Sequence, residues 1–106
     1  AAIAVQMVLN VVEPEASGIG GGAFILHWSA GEKRLRVYDG RETAPAAATP
    51  ELFLDAAGRP MEFFDAVVGG RSVGTPGLVA VLELAHRRHG KRRWAELFEP
   101  AIELAV

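Results

Sequence analysis

Apolar residues recur at the spacing of an amphipathic helix in three parts of the chain. The pattern covers residues 1–12, where it stops before a proline that disfavours helical geometry in the residue preceding it. It covers residues 78–89, with Gly90 placed to end the helix in a left-handed conformation. It returns over residues 94–105, where Pro100 predicts a kink or two short helices.

Two short runs after the first helix predict a β-hairpin. Residues 23–28 are typical of a buried strand, and residues 34–38 alternate, with Leu35 and Val37 on one face. Residues 29–32 between them have the composition of a turn. We therefore predict an α+β fold, with helices and an antiparallel β-hairpin.

The middle of the chain is predicted to be irregular apart from two capping signals. Thr49 and Thr75 each precede a proline, the pattern of an N-cap followed by proline in the first helical position. The first signal predicts a short helix over residues 50–56, and the second predicts the start of the next helix. Residues 55–60 are predicted to turn, and the glycine pair at 69–70 indicates a flexible break.

Composition places the chain among ordinary folded proteins. It has 106 residues, of which 50% are hydrophobic and 23% charged, and its formal net charge is −2. These values predict one domain over residues 1–106 and do not call for a strongly charged partner. The absence of cysteine excludes disulfides and thiol nucleophiles. Both ends read as helices that have been cut, and the apolar run at residues 1–12 is short of the roughly 20 residues that span a bilayer.

The glycine-rich stretch at residues 18–23 matches a dinucleotide-binding fingerprint, G-x-G-x-x-A, and Asp39 lies where a ribose-binding acid is expected. In that fingerprint a strand precedes the glycines and a helix follows. Here the predicted order is inverted, which argues against nucleotide binding. Two interpretations remain, a packing junction between helix and strand, or a close approach of backbone to a ligand.

Arg41 lies just past the second predicted strand, on an irregular segment where functional side chains are often displayed. Its planar guanidinium suits a carboxylate, so Arg41 is a candidate anchor for a carboxylate substrate. The competing interpretation is an exposed ion pair with Asp39 or Glu42, worth roughly 0 to 1 kcal/mol. From the residues alone the ion pair is favoured.

The basic run at residues 86–93 suggests a nucleic-acid surface, but its position favours a simpler explanation. Cations in the last helical turn complement the helix dipole, and the run lacks aromatic residues that stack on bases. We therefore predict no nucleic-acid partner. His86 and His89 share a helix face without a third metal ligand nearby, so we predict no metal and no cofactor.

No residue of the chain is a persuasive nucleophile. The hydroxyl candidates are Ser17, Ser29, Ser72, Thr43, Thr49 and Thr75. No G-x-S-x-G motif is present, and a threonine that uses its own α-amino group as base must begin a chain. We therefore expect no catalytic residue within these 106 residues.

Five blocks, taken together in order and spacing, resemble the γ-glutamyltransferase (γ-glutamyltranspeptidase) family. They are Val11-Val12-Glu13-Pro14, Ser17-Gly18-Ile19-Gly20-Gly21-Gly22-Ala23-Phe24, Asp39-Gly40-Arg41-Glu42-Thr43-Ala44-Pro45, Gly70-Arg71-Ser72-Val73-Gly74-Thr75-Pro76-Gly77 and Trp94-Ala95-Glu96-Leu97-Phe98-Glu99-Pro100-Ala101-Ile102. The segment from His86 to Gly90 also looks like that family. The resemblance covers nearly the whole chain and identifies it as an internal part of the large subunit, toward its N-terminus. Glu15-Ala16 departs from the more polar pairs of many relatives.

The resemblance implies a partial N-terminal-nucleophile hydrolase fold, an αββα sandwich made as a self-cleaving precursor. It implies that an N-terminal threonine of the small catalytic subunit, outside this chain, attacks the γ-glutamyl amide of glutathione or a related compound. It also implies that Arg41 holds the α-carboxylate of the γ-glutamyl group, which reverses the interpretation from the residues alone.

Further expectations follow from the same resemblance. The partners are the small subunit and a γ-glutamyl substrate, with no cofactor, and the compartment is the periplasm or the exterior. Alternatives are a related amidohydrolase, acting on a β-lactam side chain or on poly-γ-glutamate, and a chain that is only a structural piece. The isolated 106 residues are expected to be inactive.

Overall fold

The computed structural model describes residues 1–106. In chain order its elements are α1 (Ala2–Val12), β1 (Ala23–Ser29), β2 (Arg34–Gly40), α2 (Phe63–Val67), α3 (Leu78–His89) and α4 (Glu99–Ala105), with 3₁₀ turns at Gly70–Ser72 and Ala95–Leu97. They divide into two compact units. The first contains residues 1–42 and 76–106, and the second contains residues 43–75.

The predicted hairpin is present in the first unit. β1 and β2 pair as an antiparallel two-stranded sheet in which Leu26 faces Val37 and Trp28 faces Leu35. Because successive side chains of a strand point to opposite faces, the sheet has an inner and an outer face. The inner face packs on α3, and Tyr38 is buried there. The outer face is an exposed apolar surface formed by Phe24, Leu26, Trp28, Leu35 and Val37.

The core of the first unit lies between the helices and the inner face of the hairpin. Its buried residues are Met7, Leu78, Leu82 and Ala101, and Ile3, Val8, Val11, Ala23, Ile25, Trp94 and Phe98 pack against them. α1 packs on α4, and α3 contacts both strands. The apolar periodicity of the three predicted helices is therefore explained by burial of one face of each.

The second unit has little regular structure apart from α2. Its ends are joined by an isolated antiparallel bridge between Thr43 and Thr75. A turn is closed by the backbone N–H of Asp55 donating to the carbonyl of Arg59 at 2.8 Å, with Gly58 in the left-handed region at φ 75°. The backbone N–H and side chain of Arg59 both donate to the Asp55 carboxylate and lower its pKa.

Three local predictions are wrong. Residues 50–56 form turns rather than a helix, so Thr49 caps nothing. Thr75 pairs with Thr43 instead of capping α3, whose N-cap is Gly77. Gly90 ends α3 in an extended conformation, φ −65° and ψ 140°, rather than a left-handed one. For Thr75, the tertiary partner Thr43 replaces the local capping signal.

The strand predicted at residues 23–28 is present, but it is half-buried rather than buried, since Phe24, Leu26 and Trp28 are exposed. The run at 94–105 is divided into a 3₁₀ turn and α4, with a proline in the first turn of α4, which matches the second of the two predicted outcomes, a kink or two short helices. α2 was not predicted, because its five residues, FFDAV, are too short for a helical period.

Candidate functional site

Arg41 directly follows β2 and is displayed at the surface. Its side chain is 70% exposed, and its backbone N–H donates to Oδ1 of Asp39 at 2.9 Å. Nε of the guanidinium lies 3.3 Å from Oε2 of Glu42. Both acids named by the ion-pair interpretation are therefore in contact with Arg41, one through the backbone and one through the side chain.

Glu42 is much less exposed than the arginine that it contacts. Its side chain is 28% exposed, and its Oε2 atom is buried without a hydrogen bond of good geometry. Its contact is to Nε, and no hydrogen bond or ion pair within the chain involves the two terminal nitrogens of Arg41. These two nitrogens form the edge of a guanidinium that binds a carboxylate with two parallel hydrogen bonds.

The glycine-rich stretch is a packing junction. The carbonyl oxygen of Gly21 accepts hydrogen bonds from the backbone N–H groups of Gly77 and Leu78, both at 3.1 Å. In a nucleotide fingerprint the helix directly after the glycines presents free N–H groups to phosphate, whereas here a strand follows the glycines and the Gly21 carbonyl occupies N–H groups at the start of α3. The stretch also joins α1 to β1, which is the inverted order that the sequence indicated. Of the two interpretations left open above, the packing junction is the one observed.

A second cluster of polar residues lies at the C-terminal end of α3, on the inner face of the hairpin. The rings of His27 and His89 are stacked with centroids 3.8 Å apart. The hydroxyl oxygen of Tyr38 and Nε2 of His89 share a hydrogen bond of 2.6 Å. Desolvation lowers the pKa of His89, and the nearby charges of His27, Arg36 and Arg88 lower it further, with an opposing effect from Glu32.

Part of the basic run at 86–93 is paired with two nearby glutamates. Arg87 pairs with Glu83 at 2.6 Å within α3, and Arg93 pairs with Glu96 at 2.5 Å. Nε2–H of His86 donates to the carbonyl of Arg92 at 2.8 Å. Short-range pairs of this kind are typical of a solvated helix surface and offer no continuous row of cations for phosphates.

A groove of about 730 Å³ runs between α1, β1 and α3, but Arg41 does not line it. The chain has no cluster of three or more histidine, cysteine or acidic residues that could hold a metal ion. No helix has both the length and the apolar character needed to cross a membrane.

Comparison with known proteins identifies the family to which the chain belongs. The family model described as gamma-glutamyltranspeptidase matches residues 1–106. This chain belongs to the γ-glutamyltranspeptidase family. Within that family, it is 45% identical over 105 residues to the glutathione hydrolase proenzyme of Bacillus subtilis strain 168. It is 42% identical over 105 residues to the glutathione hydrolase proenzyme of Pseudomonas aeruginosa.

Solved γ-glutamyltranspeptidase structures have the same fold over this region. The enzyme from Pseudomonas nitroreducens, complexed with L-DON, matches with a TM-score of 0.89 and 40% identity, over 98% of this chain and 30% of that one. The Helicobacter pylori enzyme matches with a TM-score of 0.90 and 36% identity, over 98% of this chain and 29% of that one. The predicted α+β, partial N-terminal-nucleophile hydrolase fold is thereby confirmed.

The match covers a limited part of each relative. The two glutathione hydrolase proenzymes are each covered over 18% of their length, although 99% of this chain is matched in both. The resemblance to γ-glutamyltranspeptidases is confirmed, and the β-lactam and poly-γ-glutamate alternatives are not favoured. The description of several relatives as proenzymes fits a family whose members are processed from a precursor.

Proposed function

We propose that this chain is part of an enzyme that transfers or hydrolyses γ-glutamyl groups, and that Arg41 binds the α-carboxylate of the substrate. The observation that carries the proposal is the exposed guanidinium of Arg41, which Glu42 contacts at Nε, within a chain that matches the family model along its whole length. A two-point contact with the α-carboxylate selects a free amino acid end. It also fixes the γ-amide at a constant distance from an attacking group.

The chemistry itself is assigned to residues outside this chain. We propose that residues 1–106 belong to a single domain of the large subunit, and that the small subunit of the same precursor supplies an N-terminal threonine nucleophile. Glutathione is the proposed donor, and the proposed location is the periplasm or the exterior. Because no residue here is a persuasive nucleophile, the isolated chain is proposed to be inactive, which a γ-glutamyl anilide assay of the purified 106 residues checks.

The proposal is tested by replacing Arg41 in the complete, processed enzyme. We expect Arg41→Ala to lower kcat/KM for a γ-glutamyl anilide by about 100-fold, because hydrogen bonds to a charged group contribute about 1.5–3 kcal/mol. Arg59→Ala is a matched control, since Arg59 is also an exposed arginine paired with a nearby acid. Unchanged kcat/KM in Arg41→Ala removes Arg41 from the site.

A further inference from the structure

Gly22 approaches the segment that carries Arg41 more closely than any other residue type can. A Cβ atom built on Gly22 lies 2.5 Å from the carbonyl oxygen of Gly40, 2.9 Å from Cα of Arg41 and 3.0 Å from the backbone nitrogen of Glu42. The closest of these distances are shorter than real Cβ contacts. The obstructing atoms are all backbone, so rotation of a side chain cannot relieve them.

Gly77 makes a second close approach to the same segment. Its Cβ position lies 2.8 Å from the carbonyl carbon of Gly40 and 3.1 Å from the carbonyl oxygen of Arg41, and it also meets the carbonyl oxygen of Gly40. The hydrogen bonds from the N–H groups of Gly77 and Leu78 to Gly21 join these two approaches. The segment at residues 40–42 is thus in close contact with two stretches of backbone that are hydrogen-bonded to each other.

Space, rather than backbone conformation, explains the glycines at these two positions. The glycines of this chain with a positive φ are Gly58 and Gly69, and a Cβ atom on either meets nothing within 4 Å. Gly22 and Gly77 have conformations open to any residue, so what they contribute is the missing side chain. Gly20 is a useful contrast, because a Cβ atom there meets nothing within 4 Å.

We propose that Gly22 and Gly77 are positioning residues for Arg41. Because they have no side chain, two stretches of backbone pack closely against residues 40–42 and determine the position of Arg41. The inference rests on the proposed role of Arg41 as the α-carboxylate anchor. A side chain at either glycine pushes the Arg41 segment outward. A fork of two hydrogen bonds is sensitive to such a shift, since a displacement of about 1 Å in a substrate-positioning group costs on the order of 100-fold in rate.

The test compares two donors in the complete, processed enzyme, a γ-glutamyl anilide and the same compound with its α-carboxylate converted to a carboxamide. The quantity measured is the ratio of their kcat/KM values, which reports how strongly the enzyme uses the carboxylate. We expect Gly22→Ala to lower this ratio about 10-fold or more, through the carboxylate donor alone. Gly20→Ala, in the same motif with open space around it, is expected to keep the wild-type ratio.

A milder variant covers the case in which Gly22→Ala does not mature. A Cβ atom on Gly21 lies 3.3 Å from Oε1 of Glu42, the end of a flexible side chain, so Gly21→Ala shifts the Arg41 partner without moving backbone. We expect the ratio to drop by about 3-fold, because the displacement of the positioning group is small. If the precursor of Gly22→Ala stays uncleaved, an unchanged ratio in Gly21→Ala overturns the inference.

A wild-type ratio in Gly22→Ala contradicts the inference. If the ratio is unchanged while both rates fall equally, the loss indicates general damage to the fold. Arg41→Ala separates this failure from that of the proposed function. If Arg41→Ala keeps the ratio, the proposed function fails. If Arg41→Ala removes the preference for the carboxylate donor while Gly22→Ala keeps the same ratio as Gly20→Ala, the positioning role alone fails.

Discussion

The outer face of the hairpin predicts that the isolated chain self-associates. Its five apolar side chains are each between 51% and 67% exposed and lie side by side on paired strands. Together they present about 600 Å² of apolar surface, at the upper end of the largest patches on ordinary monomers. Two such faces packed together bury about 1,200 Å² in total, which reaches the lower limit for a specific stable interface.

The perturbation is a pair of opposite charges placed at facing positions of the two strands. Leu26 and Val37 are directly paired, so Leu26→Lys with Val37→Glu introduces a cross-strand ion pair that the hairpin tolerates. Each charge must lose water if the face is covered, which costs several kcal/mol per ion without a good partner. We expect the dissociation constant to rise by at least about 100-fold.

Sedimentation velocity on the 106-residue chain at tens of micromolar checks this prediction. The unsubstituted chain is expected to sediment as a dimer or larger species, and the double variant as a monomer with an unchanged circular dichroism spectrum. Val5→Lys with Leu104→Glu is the matched control, because these two residues are equally exposed, at 55% and 56%, but lie on helices. A monomeric unsubstituted chain, or equal rescue by the control pair, refutes the assignment to this face.

Two further predictions concern stability, measured on the monomeric double variant. Leu82→Ala is expected to lower the free energy of unfolding by about 2–5 kcal/mol in urea titrations, and Leu84→Ala on the same helix by less than about 1 kcal/mol, since Leu82 is buried and Leu84 is 43% exposed. Equal losses contradict the described core. Because the pKa of His89 is lowered by folding, the unfolded chain takes up that proton first as pH falls, and stability is lost below about pH 6.5. His89→Gln should flatten the decline in melting temperature between about pH 7.5 and 5.5. An unchanged slope is evidence against His89 as the cause.

Local patterns predicted the elements that bury one face within the chain. α1 and α3 were predicted because apolar residues recur along each at the helical period, and the burial that produces this pattern is the burial that stabilises the helix. The hairpin was predicted from two short apolar runs around a turn. The short helix at 50–56 failed because a capping signal without an apolar face has no packing to support it.

The sequence also indicated Arg41, but only as one of two possibilities. A surface arginine between two acids reads as an ordinary ion pair, and the family resemblance is what raised it above that interpretation. Glu42 was not predicted as a site residue, because its position against Nε of Arg41 depends on how the loop is folded. The signal available in the sequence was that Glu42 directly follows Arg41.

What only the tertiary structure decided is the surroundings of that loop. The sequence by itself determined a glycine-rich junction, the helices, the hairpin and an arginine after its second strand. It did not indicate that Gly77, far along the chain, closes on Gly40, or that Gly21 bonds to the start of α3. Periodicity records which face of an element is buried, whereas the close approach of two backbones leaves no periodic trace. A missing side chain becomes informative only when the atoms that occupy its place are known.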